Sequence, residues 1–135
     1  MSHHQTLEKY KRKVTPIERS LSLSPFSIVT MVARIKGNVS AAMIENAVAK
    51  VRRRHALLRV RIEDDDDHVQ WFTSKGVQDI PIEIVPRKTE GDWIEIHAKA
   101  SKIPYEFETR PAIRLILVQS PDLSEVTVRT YVRMP

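Results

Sequence analysis

Apolar and polar positions along this chain follow two rhythms, and the switches between them fall at clear punctuation. Over FSIVTMVARIK the period is two: Ile28, Thr30, Val32 and Arg34 share one face, and Val29, Met31, Ala33 and Ile35 the other. One face is wholly apolar and the other nearly so, which predicts a strand covered on both sides, inside a sheet. After the turn GNV the period lengthens. Ile44, Ala47, Val48 and Val51, with Met43 beside them, predict a helix from a Ser40 cap to about His55. LLRVRIE returns to a strand, DDDDH is its loop, and VQWFTS pairs back on it. IPIEIVPR is a further strand, ended by Pro86. EGDWIEIHAKASKIP reads as a helix capped by Asp92, with Ile96, Ala100 and Ile103 on its inner face and Trp93 helping. PYEFETRP is an irregular link. AIRLILVQS is a strongly apolar strand that forms a hairpin, through PDLSE, with the final strand VTVRTYVR. In that strand Val126, Val128, Thr130 and Val132 alternate with Thr127, Arg129, Tyr131 and Arg133, and the arginines suit a sheet edge facing water.

Upstream, VTPIERSLSLSP predicts a short helix. Thr15 caps it, Pro16 takes the first helical position, and Glu18 stands three residues after Thr15 as in a capping box; Pro25 ends it. Residues 1–13 are polar and read as a flexible tail, leaving 14–135 as the folded unit. The expected fold class is α/β (α+β), a mixed sheet with helices packed on it.

Composition narrows the chemistry. The 135 residues suffice for one modest domain, and 41% apolar with 29% charged residues supports a core under a solvated surface. With no cysteine, disulfides, thiolate zinc sites and cysteine nucleophiles are excluded. Three glycines, Gly37, Gly76 and Gly91, are too few and too far apart for a phosphate-cradling loop. No run reaches membrane-span length and no secretory signal stands at the start, so a soluble, cytoplasmic chain is expected. The net charge of +5 permits an anionic partner without demanding one.

Few residues are arranged for catalysis. His3 and His4 are an adjacent pair near the start, and no metal site is expected there. Asp64–Asp67 is a candidate cation loop, but carboxylates in a row do not converge on one ion and no calcium-loop spacing follows, so a solvated turn is expected. His97 lies off the inner stripe of its helix and reads as a surface residue. VRRRHALLRVRI admits three readings: a nucleic-acid grip, a catalytic histidine among cations, or the seam between a helix and a strand. Arg52, Arg53 and Arg54 point in three successive directions around a helix, which disfavours the grip. His55 has no oriented partner and no nucleophile nearby in sequence, which favours a structural corner. Arg59, on a strand with Leu57, Leu58, Val60 and Ile62, needs water or a partner, Glu63 or Glu108.

Three stretches carry a resemblance. RHALLR, from Arg54 to Arg59, resembles the RHxxLR element of condensation domains in nonribosomal peptide synthetases. PYEFETRPAIRLILV, from Pro104 to Val118, resembles their P-F-x-x-x-x-x-P-x-x-R-x-x-L element, and TPIERSL their opening helix. The related group includes chloramphenicol acetyltransferase-like acyltransferases. The resemblance implies the N-terminal lobe of that two-lobed fold, whose tunnel between the lobes serves acyl transfer from a coenzyme A or carrier-protein thioester to an amine or alcohol. It implies no resident cofactor and no metal. It makes Arg54, His55, Leu58, Arg59, Pro104, Phe107, Pro111 and Arg114 motif residues of the scaffold, with Arg59 supporting the aspartate of the catalytic HHxxxDG motif. That motif is absent here: the chain reads RTYVRMP where the family runs into it. The expectation is a lobe truncated before HHxxxDG, with no catalytic residue of its own and inactive alone. Self-association, or a second chain supplying the missing lobe, is expected, with acyl-CoA or an acyl carrier protein as partner by resemblance. The alternative is a non-catalytic binding module for a carrier protein or nucleic acid.

Overall fold

In the computed structural model, residues 9–23 and 28–131 are described. His3, His4, Pro25, Val132 and Arg133 lie outside them. The first element is a strand, β1 (Lys11–Lys13), where the sequence suggested the end of a tail. It pairs antiparallel with β4, Arg12 opposite Phe72, and three basic residues in a row are too short a pattern to announce a strand.

The capping box then forms as expected at the start of α1 (Pro16–Leu23). The Glu18 amide donates to Thr15 Oγ1 at 3.2 Å, and the Thr15 amide donates to Glu18 Oε1 at 3.0 Å. The fully buried Glu18 carboxylate also receives both Nη atoms of Arg12, at 2.7 and 2.8 Å.

The mixed sheet is present with four strands in the order β2-β7-β6-β5: β2 (Ile28–Lys36), β5 (Ile82–Pro86), β6 (Ile113–Gln119) and β7 (Leu123–Tyr131). A separate antiparallel sheet of three strands has the order β1-β4-β3, with β3 (Arg61–Asp64) and β4 (Gln70–Thr73) joined through the aspartate loop. Lateral positions differ from the sequence reading. β2, expected inside, is an edge paired only with β7 among the described residues, and β7, expected at an edge, lies between β2 and β6. Arg129 on β7 is buried accordingly.

α2 (Ala41–Arg54) starts where Ser40 Oγ accepts from the Met43 amide at 3.2 Å. Ile44 and Val48 press on a core of Val39, Ile80, Leu115, Leu117 and Val126. A second core, Val14, Val60, Ile62 and Phe72 with Phe107 against it, belongs to the three-stranded sheet. α3 (Asp92–Ala100) connects the parallel pair β5 and β6, as a crossover must. Pleat alternation sends Arg114 to the face opposite Leu115, and Arg114 meets the end of α3, so α2 and α3 cover opposite faces of the four-stranded sheet.

Two helix details differ from expectation. Gly91, not Asp92, precedes the first turn of α3; the Asp92 carboxylate folds back to accept from the Lys88 and Thr89 amides and the Thr89 hydroxyl, closing the preceding turn. Those bonds, the Thr89 hydroxyl first, hold its acid below the ordinary range. Ile103 lies beyond the helix end and is exposed.

Candidate functional site

The strand expected over LLRVRIE begins only at Arg61. Ala56–Arg59 form one 3₁₀ turn between α2 and β3. His55 is the hinge of this corner: its amide donates to Val51 O at 3.2 Å, and its carbonyl accepts from the Leu58 amide at 3.0 Å. Its side chain is exposed, as is Arg54. The turn directs Leu58 into the core under α2 and Arg59 back beneath the helix end.

Arg59 is buried rather than water-exposed, and neither Glu63 nor Glu108 is its partner. Its Nη1 donates to the carbonyls of Arg52 and Arg53, at 3.0 and 2.8 Å. These are orphan acceptors of the last turn of α2, at the negative end of its dipole. The residue expected to hold a carboxylate thus closes a helix terminus, while its Nε is buried with no acceptor. Arg52 leaves the basic cluster: it bonds Leu58 O at 3.0 Å and Asp79 at 2.8 Å. Glu63 instead faces Arg61 at 3.4 Å.

The second motif repeats the device. Arg114 Nη1 donates to Ile103 O at 2.6 Å and Ala100 O at 3.4 Å, and Nη2 donates to Pro104 O, gathering the carbonyls at and beyond the end of α3. Its Cζ lies 4.1 Å from the centroid of Tyr105, whose other neighbour is Phe107, stacked at 5.7 Å and 11°. Phe107 packs on the core of the smaller sheet, and its carbonyl accepts from the Ile62 amide at 2.7 Å. Pro104 is exposed and Pro111 buried at the two ends of this link. The link therefore ties the sheets together: Phe107 bonds β3, and the Tyr105 hydroxyl donates to Arg129 O on β7 at 2.8 Å.

Replacing Arg59 with methionine keeps the buried stem but leaves two carbonyls bare. It is expected to lower unfolding free energy by about 2 kcal/mol in urea titrations, whereas Arg54→Ala, on the surface, shifts it by less than about 0.5 kcal/mol.

Against the outer side of the Tyr105–Phe107 link lies an open cleft of about 630 Å³, floored by Ile62 and rimmed by Arg19, Arg61, Glu63 and Asp64. No histidine is among the described residues that line it. The acidic loop beside it is a self-contained turn. Asp65 accepts from the amides of Asp67 and Val69 and from Trp71 Nε1, each at 2.9 Å, and these bonds, Trp71 first, lower its pKa. Among the described residues no group of three or more histidines and carboxylates could hold a metal. His97, expected at the surface, is half-buried with its Nδ1 enclosed and without a hydrogen-bond partner.

The sequence reading missed the most buried charge, Glu125, fully enclosed on β7. Arg87 Nε donates to its Oε1 at 2.7 Å and Arg34 Nη2 to its Oε2 at 3.2 Å, so one carboxylate joins β2, β7 and the end of β5. A glutamate amid the apolar pattern of β7 was the available signal; its arginines lie 91 and 38 residues away. Arg129, also buried, keeps Nε and Nη1 without acceptors.

No helix among the described residues is long and apolar enough to cross a membrane. No protein-family model matches the chain. Cyclosporin synthetase simA of Tolypocladium inflatum is 24% identical over 100 residues, which are 73% of this chain and 1% of that protein. Among solved structures, a double mutant of the starter condensation domain of rhizomide synthetase RzmA, in complex with C8-CoA and Leu-SNAC, superposes with a TM-score of 0.72 at 15% identity, over 90% of this chain and 30% of that one. The condensation domain of the Monacolin K polyketide synthase MokA gives 0.71 at 15% identity, with the same shares. This chain therefore spans about a third of the length of those solved chains, and over that length it has the condensation-domain fold expected from its motifs.

Proposed function

We propose that this chain is the N-terminal lobe of a condensation-type acyltransferase, contributing scaffold rather than catalytic groups. The reaction served is transfer of an acyl group from a thioester to an amine or alcohol: the nucleophile forms the new bond to the carbonyl carbon and the thiolate leaves. The observation that carries the reading is the conjunction of fold and motif. Nine-tenths of the chain superposes on condensation domains, and RHALLR and PYEFETRPAIR supply the arginines that close the ends of α2 and α3. The solved RzmA neighbour is in complex with C8-CoA and Leu-SNAC, which makes acyl-CoA or a carrier-bound acyl group the donor class to test. The enclosed Arg59 Nε, beside the carbonyls its Nη1 already holds, supports a role in receiving a carboxylate from a catalytic loop. No HHxxxDG occurs in these residues, so the chain by itself carries no base for the acceptor.

The test is an acylation assay with octanoyl-CoA and leucine thioester. The purified chain is expected to give no turnover above buffer. Mixed with a separately produced remainder of a condensation domain bearing HHxxxDG, it is expected to give turnover that His55→Ala leaves unchanged. Turnover by the chain alone ends the scaffold reading, and loss of the reconstituted activity in His55→Ala ends the structural assignment of that histidine.

A further inference from the structure

Two enclosed polar groups lie between α3 and the four-stranded sheet with nothing to bond. Arg114 and Arg129 stand directly opposite each other on β6 and β7, so both occupy the face that α3 covers. Arg129 is buried, and its Nε and Nη1 are enclosed without an acceptor among the described residues. α3 lies against β7 and turns Trp93, Ile96, His97 and Ala100 inward, each half-buried. His97, one turn before the Ala100 carbonyl that Arg114 reaches, has its Nδ1 enclosed and without a partner. The other buried charges are matched: Glu18 by Arg12, Glu125 by Arg34 and Arg87, and Arg59 by two carbonyls. Arg129 has only the ring of Tyr105, 5.7 Å from its Cζ, which Arg114 already takes at 4.1 Å. A shared cation–π contact returns much less than burying an unpaired charge costs, and like charges directly opposite repel. The carbonyls at and just beyond the end of α3 go to Arg114.

We propose that this layer binds a small monocarboxylate, seated on Arg129 between β7 and α3. Charge selects a monoanion. Arg114 Nη1 and Nη2 are committed to carbonyls, so a second negative charge would be desolvated without those donors to meet it. Shape agrees, since a carboxylate is flat, as a guanidinium is, and the space between helix and sheet is a thin layer. Thr127, buried, and Thr30, half-buried and opposite Arg129, stand on the same face and supply hydroxyls for the ligand's second oxygen. His97 Nδ1 adds a donor in the tautomer that protonates it. Entry is from an open cleft of about 280 Å³ on this face, lined by Ala100, Tyr105 and Arg114, which reaches the ring that Arg129 faces. The site is independent of acyl transfer, since it needs neither a thioester nor a second lobe.

The probe is sodium acetate, titrated at neutral pH and constant ionic strength into the isotope-labelled intact chain, beside sodium chloride and sodium phosphate. The Arg129 Nε–H resonance, identified by its loss in Arg129→Met, is expected to move saturably with acetate in the millimolar range and not with chloride. Phosphate is expected to bind at least about tenfold more weakly. Arg129→Met removes the unpaired charge and keeps the stem. It is expected to melt no lower than the parent in chloride, and to lose most of the rise in melting temperature that acetate gives the parent over chloride. Arg54→Ala, which removes an exposed charge, is expected to keep that rise. An Arg129 resonance that acetate does not move, phosphate binding as tight as acetate, or an Arg129→Met chain that melts well below the parent in chloride would each overturn the proposal.

Discussion

Glu125→Ala is expected to cost about 3–5 kcal/mol of stability, a large share of the roughly 5–15 kcal/mol available to a domain of this kind. The loss comes less from the bonds removed than from what remains. Arg87, with only 14% of its side chain exposed, would keep its charge with its carboxylate gone. Arg34 can recover water, because its side chain is 48% exposed and it has Glu90 within 3.6 Å. The asymmetry gives the controls. Arg34→Ala is expected to cost no more than about 1 kcal/mol, in the range of surface ion pairs. Replacing Glu125 and Arg87 together by leucine and methionine is expected to recover most of the loss, because no charge is then stranded. Urea midpoints at constant slope measure all three. A Glu125→Ala chain within about 1 kcal/mol of the parent would mean that Arg87 relaxes to solvent and that the cluster does not fasten the sheet.

The elements that local pattern can specify are the ones the sequence made legible. Ser40 and the Thr15–Glu18 box announce helix starts because capping needs only residues three apart, and both form. The hairpin of β6 and β7 follows from two alternating runs around PDLSE. Lateral order in a sheet is not local information. β2, apolar on both faces, reads as interior, and β7, carrying Glu125, Thr127 and Arg129, reads as an edge; the structure reverses them. An apolar strand can stand at an edge of the described sheet, and a polar strand can be interior when its charges find partners from distant segments. The same limit explains Arg59. RHALLR marked Arg59 as needing water or a carboxylate partner, but its acceptors are backbone carbonyls of Arg52 and Arg53, which no side-chain pattern displays.

These placements connect motif to architecture. Each motif arginine follows a helix in the chain and turns back toward its end, Arg59 onto the last-turn carbonyls of α2 and Arg114, from β6, chiefly onto carbonyls just beyond α3. A guanidinium suits this task, since its planar fork reaches several carbonyls and its charge meets the negative helix end. The helices on the two faces of the sheet are thereby fixed at the ends that lead into β3 and toward β6. At Arg59 one nitrogen closes a helix end and another is enclosed without an acceptor.

Acid is expected to unfold the chain partly through Glu18, and the direction follows from its surroundings. The bidentate Arg12 guanidinium, opposed by burial and aided by the Thr15 amide and hydroxyl, holds the Glu18 carboxyl at about 2, from an ordinary 4.5. The same pairing raises Arg12. Above pH 4.5 the glutamate is ionised both folded and unfolded, and its contribution is fully present. As pH falls from 4.5 toward 2, the unfolded chain takes up the proton first, so stability declines through that window and this contribution is gone below it. The depression corresponds to at most about 3 kcal/mol. Glu18→Gln should therefore be less stable at neutral pH by up to that amount, while its stability falls less steeply between pH 4.5 and 2 than the parent's. Arg12→Ala should flatten the same limb, since it removes the main cause of the shift. Chemical denaturation at intervals across this window separates the outcomes: parallel acid limbs in the parent and Glu18→Gln would show that the carboxyl titrates alike in the folded and unfolded chain, and that the Arg12–Glu18 fork does not hold β1 to α1.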